Sequence, residues 1–166
     1  MAIRSSAPTG IMRQVTILIA SVLYSGYCPV ASGTVASGLA LGVYLLIWPL
    51  NSLSGGNVYF YLALLTALTS IGILTASYAE VYFKEKDSHK IVIDEFAGFF
   101  YAMLLLPPTT LNLLGGFLLF RLLDIVKPFP IGRSQRLPGG IGVMCDDILA
   151  GLFTCGTMHL VSVLVR

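Results

Sequence analysis

Charged residues are scarce in this chain, and its first 79 residues contain no acid at all. Only 11% of the 166 residues are charged, whereas a soluble domain of this size usually carries about a quarter. Together with 56% hydrophobic residues, this deficit excludes an ordinary soluble domain and predicts an integral membrane protein. The length predicts one domain, residues 1–166, and the net charge of +2 gives no reason to expect a nucleic-acid partner.

Cysteine is also rare, and its spacing excludes two kinds of structure. The three cysteines, Cys28, Cys145 and Cys155, are odd in number and far apart. They form neither the paired pattern of a disulfide framework nor the close spacing of a zinc site. We therefore expect three free thiols in an apolar protein.

Long apolar runs dominate what remains, and they predict an all-α fold. The fold class is a small multi-helix integral membrane bundle with about five spanning helices, at residues 34–50, 58–79, 91–106, 111–126 and 146–165. A further run, residues 11–23, is interrupted by Arg13 and Gln14 and is short of the about 20 residues that a span requires. Residues 1–23 are therefore predicted to be a peripheral segment, with a helix at the membrane interface or packed on the bundle.

The loops between these runs differ in charge, which predicts the orientation. Loops 51–57 and 107–110 contain no Lys or Arg, whereas loops 80–90 and 127–145 contain three each. Arg4 and Arg13 precede the first span. Because cytoplasmic loops are enriched in Lys and Arg, both basic loops and the N-terminus are predicted to be cytoplasmic. Arg166 is the one contrary charge, since five spans leave it outside.

The acids gather at the ends of the predicted spans that face the cytoplasm. They form three groups along the chain: Asp94 with Glu95, then Asp124, then Asp146 with Asp147. Carboxylates brought together in this way repel each other unless they bind a cation or take up protons. Oxygen ligands without His or Cys favour Mg²⁺ or a similar ion.

Basic residues accompany these acids and predict a phosphate ligand. Arg121 and Asp124 share a helix face at i, i+3, and Lys127 and Arg133 follow. Arginine offers a fork that matches phosphate, and lysine a point charge. A metal ion beside these cations at a membrane edge predicts a phosphorylated lipid headgroup as substrate, with the metal activating water and stabilising phosphoryl oxygens.

The same charged residues also fit simpler roles and a different class of protein. Each acidic pair could simply cap its helix, and Arg121 with Asp124 could be a structural ion pair. A small ion- or proton-coupled transporter could use the acids as a relay, although a relay spreads acids across the membrane depth. A non-catalytic bundle subunit is a further alternative, whereas the Asp-Gly-x2-Ala-Arg pattern of a phosphatidyltransferase is absent.

Four stretches resemble one known family. IVIDEFAG (91–98), LFRLLDIVKPFPI (119–131) and GGIGVMCDDILAG (139–151) resemble the three signature blocks of the phosphatidylglycerophosphatase A family. YCPVASGTVAS (27–37) resembles its N-terminal block, with Ser32 in place of the usual Pro and Ala36 in place of Gly. The resemblance covers about residues 24–165, and its most specific part is Phe-Arg-x-x-Asp-x-x-Lys-Pro-x-Pro.

This resemblance implies a function and a set of site residues. It implies Mg²⁺-dependent hydrolysis of phosphatidylglycerophosphate to phosphatidylglycerol by a multi-pass enzyme of the bacterial inner membrane, with its active site facing the cytoplasm. The base would be one of the site carboxylates, and an Asp nucleophile stays open. The implied residues are the metal-binding and catalytic acids Asp94, Glu95, Asp124, Asp146 and Asp147, the phosphate contacts Arg121, Lys127 and Arg133, and the secondary candidates Asp87 and Thr34.

Overall fold

A computed structural model describes residues 10–53 and 58–165, and this part of the chain is helical with no strand. The all-α prediction is therefore confirmed for these residues. Part of the orientation prediction rests on residues outside these ranges, namely Arg4, Arg166 and loop residues 54–57. The helices are α1 (Ile11–Ala20), α2 (Ser32–Leu53), α3 (Val58–Phe83), α4 (Ile93–Ala102), α5 (Thr110–Val126), α6 (Ile131–Ser134) and α7 (Gly140–Leu164).

Three of the described helices are long and apolar enough to cross a membrane. They are α2 over Ser32–Pro49, α3 and α7. The 26 residues of α3 extend about 39 Å at a rise of about 1.5 Å per residue. Helix α5 has 17 residues, and α3 continues four residues past the predicted end at residue 79.

Helix α4 is much shorter than the apolar run that contains it. The prediction of one helix over residues 91–106 is wrong, because the helix spans only ten residues, or about 15 Å. Its last residue is Ala102, with Met103 as the C-cap, and Leu105 adopts a left-handed backbone conformation with φ 58°. Pro107 and Pro108 come after Leu106, and a proline disfavours helical geometry in the residue before it, so the helix could not run to residue 106.

The predicted loop over residues 127–145 is also partly helical. It contains α6 and the first six residues of α7. Gly139 makes the turn with φ 59°, and the Gly140 amide donates a hydrogen bond of 2.9 Å to Ser77 Oγ on α3. Asp146 and Asp147 therefore lie well inside α7, so they do not cap its start.

The N-terminal helix α1 packs on the bundle. Ile17 and Ala20 are buried, and the Arg13 guanidinium lies 5.6 Å from the ring centre of Tyr82 on α3. The Ala20 carbonyl accepts a hydrogen bond of 3.0 Å from the amide of Val92. Because Val92 precedes α4 directly, α1 helps to fix where α4 begins.

Helix α4 lies in the centre of the described fold, against α7 and α2. Its rings Phe99 and Phe100 are fully buried, together with Tyr44 of α2 and Phe120 of α5. The Tyr61 hydroxyl donates to the Phe100 carbonyl at 2.8 Å. A helix surrounded in this way cannot rotate freely, and the side chains of its first turn are held in fixed directions.

Helices α4 and α7 touch through their backbones at two glycines. A Cβ atom on Gly98 would lie 2.8 Å from the Asp147 carbonyl and from the Phe120 ring. A Cβ atom on Gly151 would collide with the carbonyl oxygen of Gly98 and lie 2.8 Å from Tyr101 Cβ. Both distances are too short for an unshifted side chain, so the crossing requires glycine on each helix.

We expect Gly151→Ala to lower the free energy of unfolding by about 1–3 kcal/mol, because the added methyl overpacks this crossing. Gly156→Ala, in the same helix, is the matched control, since a Cβ there meets nothing within 4 Å. The control should be neutral or gain up to about 1 kcal/mol from helix propensity. Denaturant titration in detergent, followed by circular dichroism, measures both, and equal effects would contradict the backbone contact.

Candidate metal and phosphate site

Three carboxylates from two helices form a compact acidic cluster, here called the acid triad. Asp94 and Glu95 occupy the first turn of α4, and Asp147 lies about two turns into α7. One ligand oxygen from each lies within 4.8 Å of the others. Asp94 is 6% and Asp147 1% exposed. Among the described residues, Asp94 Oδ1, Glu95 Oε2 and Asp147 Oδ2 are buried and have no hydrogen-bond partner.

The start of α2 forms one wall of this cluster. A Cβ atom on Gly33 would collide with Glu95 Oε1 and lie 3.0 Å from Arg121 Nη1. The missing side chain at Gly33 therefore leaves room for both groups. Thr34, a secondary candidate, follows directly and is half-buried.

The other two predicted acids are neutralised by neighbouring cations. Arg121 Nη1 lies 2.5 Å from Asp124 Oδ2. Lys127 Nζ contacts Asp146 Oδ2 and lies 3.9 Å from Asp124 Oδ1. The five acids thus divide into an unpaired triad and two ion-paired neighbours.

The electrostatics of the two groups differ accordingly. Burial lowers the pKa of Lys127, but the hydrogen bond to Asp146 and the nearby carboxylates outweigh burial and raise this pKa, so the lysine stays charged at neutral pH. Asp147, by contrast, is repelled by Asp124, Glu95 and Asp146. Ionised carboxylates this close repel one another, so the triad favours a bound cation or protons.

Two further predicted residues lie outside the triad. Asp87 accepts a hydrogen bond from Gln135 Nε2, and its amide donates to Glu80 Oε1 at 2.9 Å, so it links the end of α3 to the segment after α6. Arg133 is exposed on α6. It lines a cleft of about 330 Å³ with Lys127, Phe129, Gly132 and Arg136.

Arg136 also lines this cleft, although the sequence analysis did not name it as a site residue. It lies in the same basic loop as Lys127 and Arg133, and that shared loop was the available signal. The sequence alone does not show that α6 and the turn after it place Arg133 and Arg136 in the cleft that Lys127 lines.

The chain matches the family described as Phosphatidylglycerophosphatase A over residues 18–162. A Haemophilus influenzae protein named Phosphatidylglycerophosphatase A is 35% identical over 140 residues, covering 82% of each chain. The Escherichia coli K12 protein of that name is 31% identical over 147 residues, covering 87% of this chain and 82% of its own.

A third relative has a different name. A Bacteroides thetaiotaomicron protein named "Putative phosphatidylinositol-3-phosphatase" is 32% identical over 144 residues, covering 83% of this chain and 87% of its own. No solved structure matches the chain significantly. The family match spans α2 to α6 completely and includes the acid triad, Asp124, Asp146 and their cations. The chain therefore belongs to the phosphatidylglycerophosphatase A family and is a phosphatase, a hydrolase of phosphoric monoesters.

Proposed function

We propose that this enzyme hydrolyses phosphatidylglycerophosphate to phosphatidylglycerol and inorganic phosphate in glycerophospholipid synthesis, with Mg²⁺ held by the acid triad. The observation that carries the proposal is the set of three buried carboxylate oxygens that have no hydrogen-bond partner in the described part of the chain. Such oxygens fit a hard divalent cation, and no His or Cys belongs to the cluster. When bound, Mg²⁺ supplies positive charge that stabilises phosphoryl oxygens and acidifies water.

The cations beside the triad suit the terminal phosphate of the substrate. Arg121 is bound to Asp124 through one nitrogen, while its buried Nε has no partner among the described residues and is free to donate. Lys127 has three N–H donors, of which Asp146 takes one. Both side chains would orient the phosphate and neutralise charge that develops during transfer.

Asp146 is the best placed general base. Its Oδ2 is bound to Lys127, and its Oδ1 is buried without a partner in the described structure. In the proposed step, water attacks phosphorus while Asp146 accepts a water proton. The P–O bond to glycerol breaks, and the departing oxygen takes a proton from solvent.

The proposed setting is the inner membrane, with the site facing the cytoplasm. Helices α2, α3 and α7 are long enough to cross, and the relatives are bacterial. We propose five crossings, in which α5 supplies one and α4 with residues 103–109 another. Irregular backbone at membrane depth is tolerated where protein covers it, and Met103 and Leu106 are buried.

Two other functions are weaker. A transporter relay needs acids at several depths, whereas the triad acids lie close together and Lys127 joins the other two acids, Asp124 and Asp146. The relatives also carry the names of phosphatases. A phosphoinositide substrate is suggested only by the name of the Bacteroides thetaiotaomicron relative. It is therefore the competing substrate in the assay.

We expect purified protein to release phosphate from phosphatidylglycerophosphate in detergent micelles, faster than from phosphatidylinositol 3-phosphate. EDTA should stop the release, and excess Mg²⁺ should restore it, because the triad cannot hold substrate phosphate without a cation. Colorimetric phosphate determination measures the rate, and circular dichroism confirms that the helices persist in EDTA. Release that continues in EDTA would contradict the metal, and faster release from the phosphoinositide would contradict the substrate.

A further inference from the structure

Arg133 and Arg136 differ from the other two site cations because they are exposed and unpaired. Arg121 and Lys127 both contact carboxylates, whereas no carboxylate in the described part of the chain lies within 4.0 Å of Arg133 or Arg136. Both guanidinium groups therefore keep their donors free for an external anion.

These arginines lie between the acidic site and an apolar cleft. On one side they share the cleft of about 330 Å³ with Lys127. On the other they line a second cleft of about 530 Å³ with Phe129, Pro130, Leu137 and Leu149. Phe129 is 81% exposed although it is aromatic. Both clefts share Phe129 and the two arginines, so the arginines adjoin Lys127 in the first cleft and apolar side chains in the second.

Short contacts fix α6 in this position. A Cβ atom on Gly132 would lie 2.8 Å from the Lys127 carbonyl, so α6 starts directly against the backbone of Lys127. Ile131 is fully buried beneath it. On the far side, Gln135 is bound by Asp87 and by Lys86 Nζ, which donates to its carbonyl at 3.3 Å. These contacts hold the segment that carries the two arginines at a fixed distance from Lys127.

This arrangement matches a lipid that carries two phosphates. Phosphatidylglycerophosphate has a terminal phosphomonoester and, one glycerol unit away, a phosphodiester that joins the lipid. We propose that Arg133 and Arg136 form a subsite for this phosphodiester, with Phe129 and Leu137 against the adjoining lipid backbone. The inference rests on the proposed function. It assigns to Arg133 and Arg136 an anion other than the one that Arg121 and Lys127 contact.

The test uses two competitive inhibitors of phosphatidylglycerophosphate hydrolysis in uncharged detergent micelles. Glycerophosphoglycerol carries the diester alone, and inorganic phosphate imitates the terminal group. Arg133→Gln and Arg136→Gln should each raise the inhibition constant of glycerophosphoglycerol about 10-fold or more, the loss expected for one charge-assisted hydrogen bond. The constant for inorganic phosphate should stay within about twofold, because Arg121 and Lys127 are untouched. Lys84→Gln is the matched control, since Lys84 is exposed in a basic loop but lines neither cleft.

Three outcomes would overturn the subsite. If glycerophosphoglycerol does not inhibit the wild-type protein, the protein has no diester site. Variants that weaken both inhibitors equally would assign the arginines to the terminal phosphate. Variants with unchanged inhibition but weaker binding to anionic vesicles would make them contacts for membrane headgroups. If wild-type protein releases no phosphate, the proposed function fails, and calorimetric binding of glycerophosphoglycerol to wild type and variants still decides the subsite.

Discussion

Asp147→Asn should abolish phosphate release and at the same time stabilise the metal-free protein. The substitution keeps the size of the side chain but removes one of three negative charges that lie within 4.8 Å of one another. Loss of a metal ligand forfeits several kcal/mol of transition-state stabilisation, which corresponds to about a 10³-fold lower rate. Relief of repulsion among buried carboxylates should raise the unfolding temperature in EDTA.

Thermal unfolding with and without Mg²⁺ separates these effects. Wild-type protein should gain stability as Mg²⁺ is added, because a ligand that binds only the folded state stabilises it, whereas Asp147→Asn should gain little. Glu85→Gln is the control for the loss of one acid, since Glu85 is exposed and outside the triad. A variant that retains full turnover, or an Mg²⁺ shift equal to that of wild type, would exclude Asp147 from the proposed metal site.

Lys127→Met should be the most destabilising of these changes and should also inactivate the enzyme. The Asp146 side chain is 2% exposed, and its Oδ2 is bound by Lys127. Removing one partner of a buried ion pair leaves an uncompensated charge. We expect a loss of about 3 kcal/mol, the lower end of the range for such pairs, because 27% of the lysine side chain is exposed.

A second substitution distinguishes the structural and chemical roles of the lysine. Lys127→Met with Asp146→Asn removes both charges, so most of the lost stability should return. Activity should stay low, because the phosphate contact and the proposed base are both missing. Denaturant titration and phosphate release measure the two effects, and Lys84→Met controls for an exposed lysine. Recovery of activity together with stability would show that Lys127 acts only through Asp146.

The apolar runs predicted most of the helices, because burial and lipid exposure both require continuous apolar sequence. Helices α2 and α5 begin within two residues of the predicted positions. One error occurs where a distant residue decides the boundary. Helix α7 begins six residues before the predicted position 146, because the Gly140 amide donates a hydrogen bond to Ser77, 63 positions away. Hydrophobic patterning along the chain cannot reveal such a partner.

The candidate site residues could be picked out from the sequence because charge is scarce in this chain. Their grouping could not, since it depends on side-chain directions that only the packed helices determine. Lys127 adopts a left-handed conformation with φ 45° at the end of α5, and its ammonium group reaches Asp146 on α7. This contact pairs Asp146 with Lys127, whereas the adjacent Asp147 belongs to the triad. Two neighbouring aspartates thus have different surroundings for a reason that their sequence does not display.

The backbone contact between Gly98 and Gly151 has a mechanical consequence. The helices that it joins carry all three triad acids, and Gly98 also lies against the carbonyl of Asp147 itself. A contact between two main chains deforms less than a contact between flexible side chains, because packed interiors are nearly incompressible. When the surrounding bilayer thins or thickens, α4 and α7 should tilt as one body, and the spacing of the three carboxylates should not change.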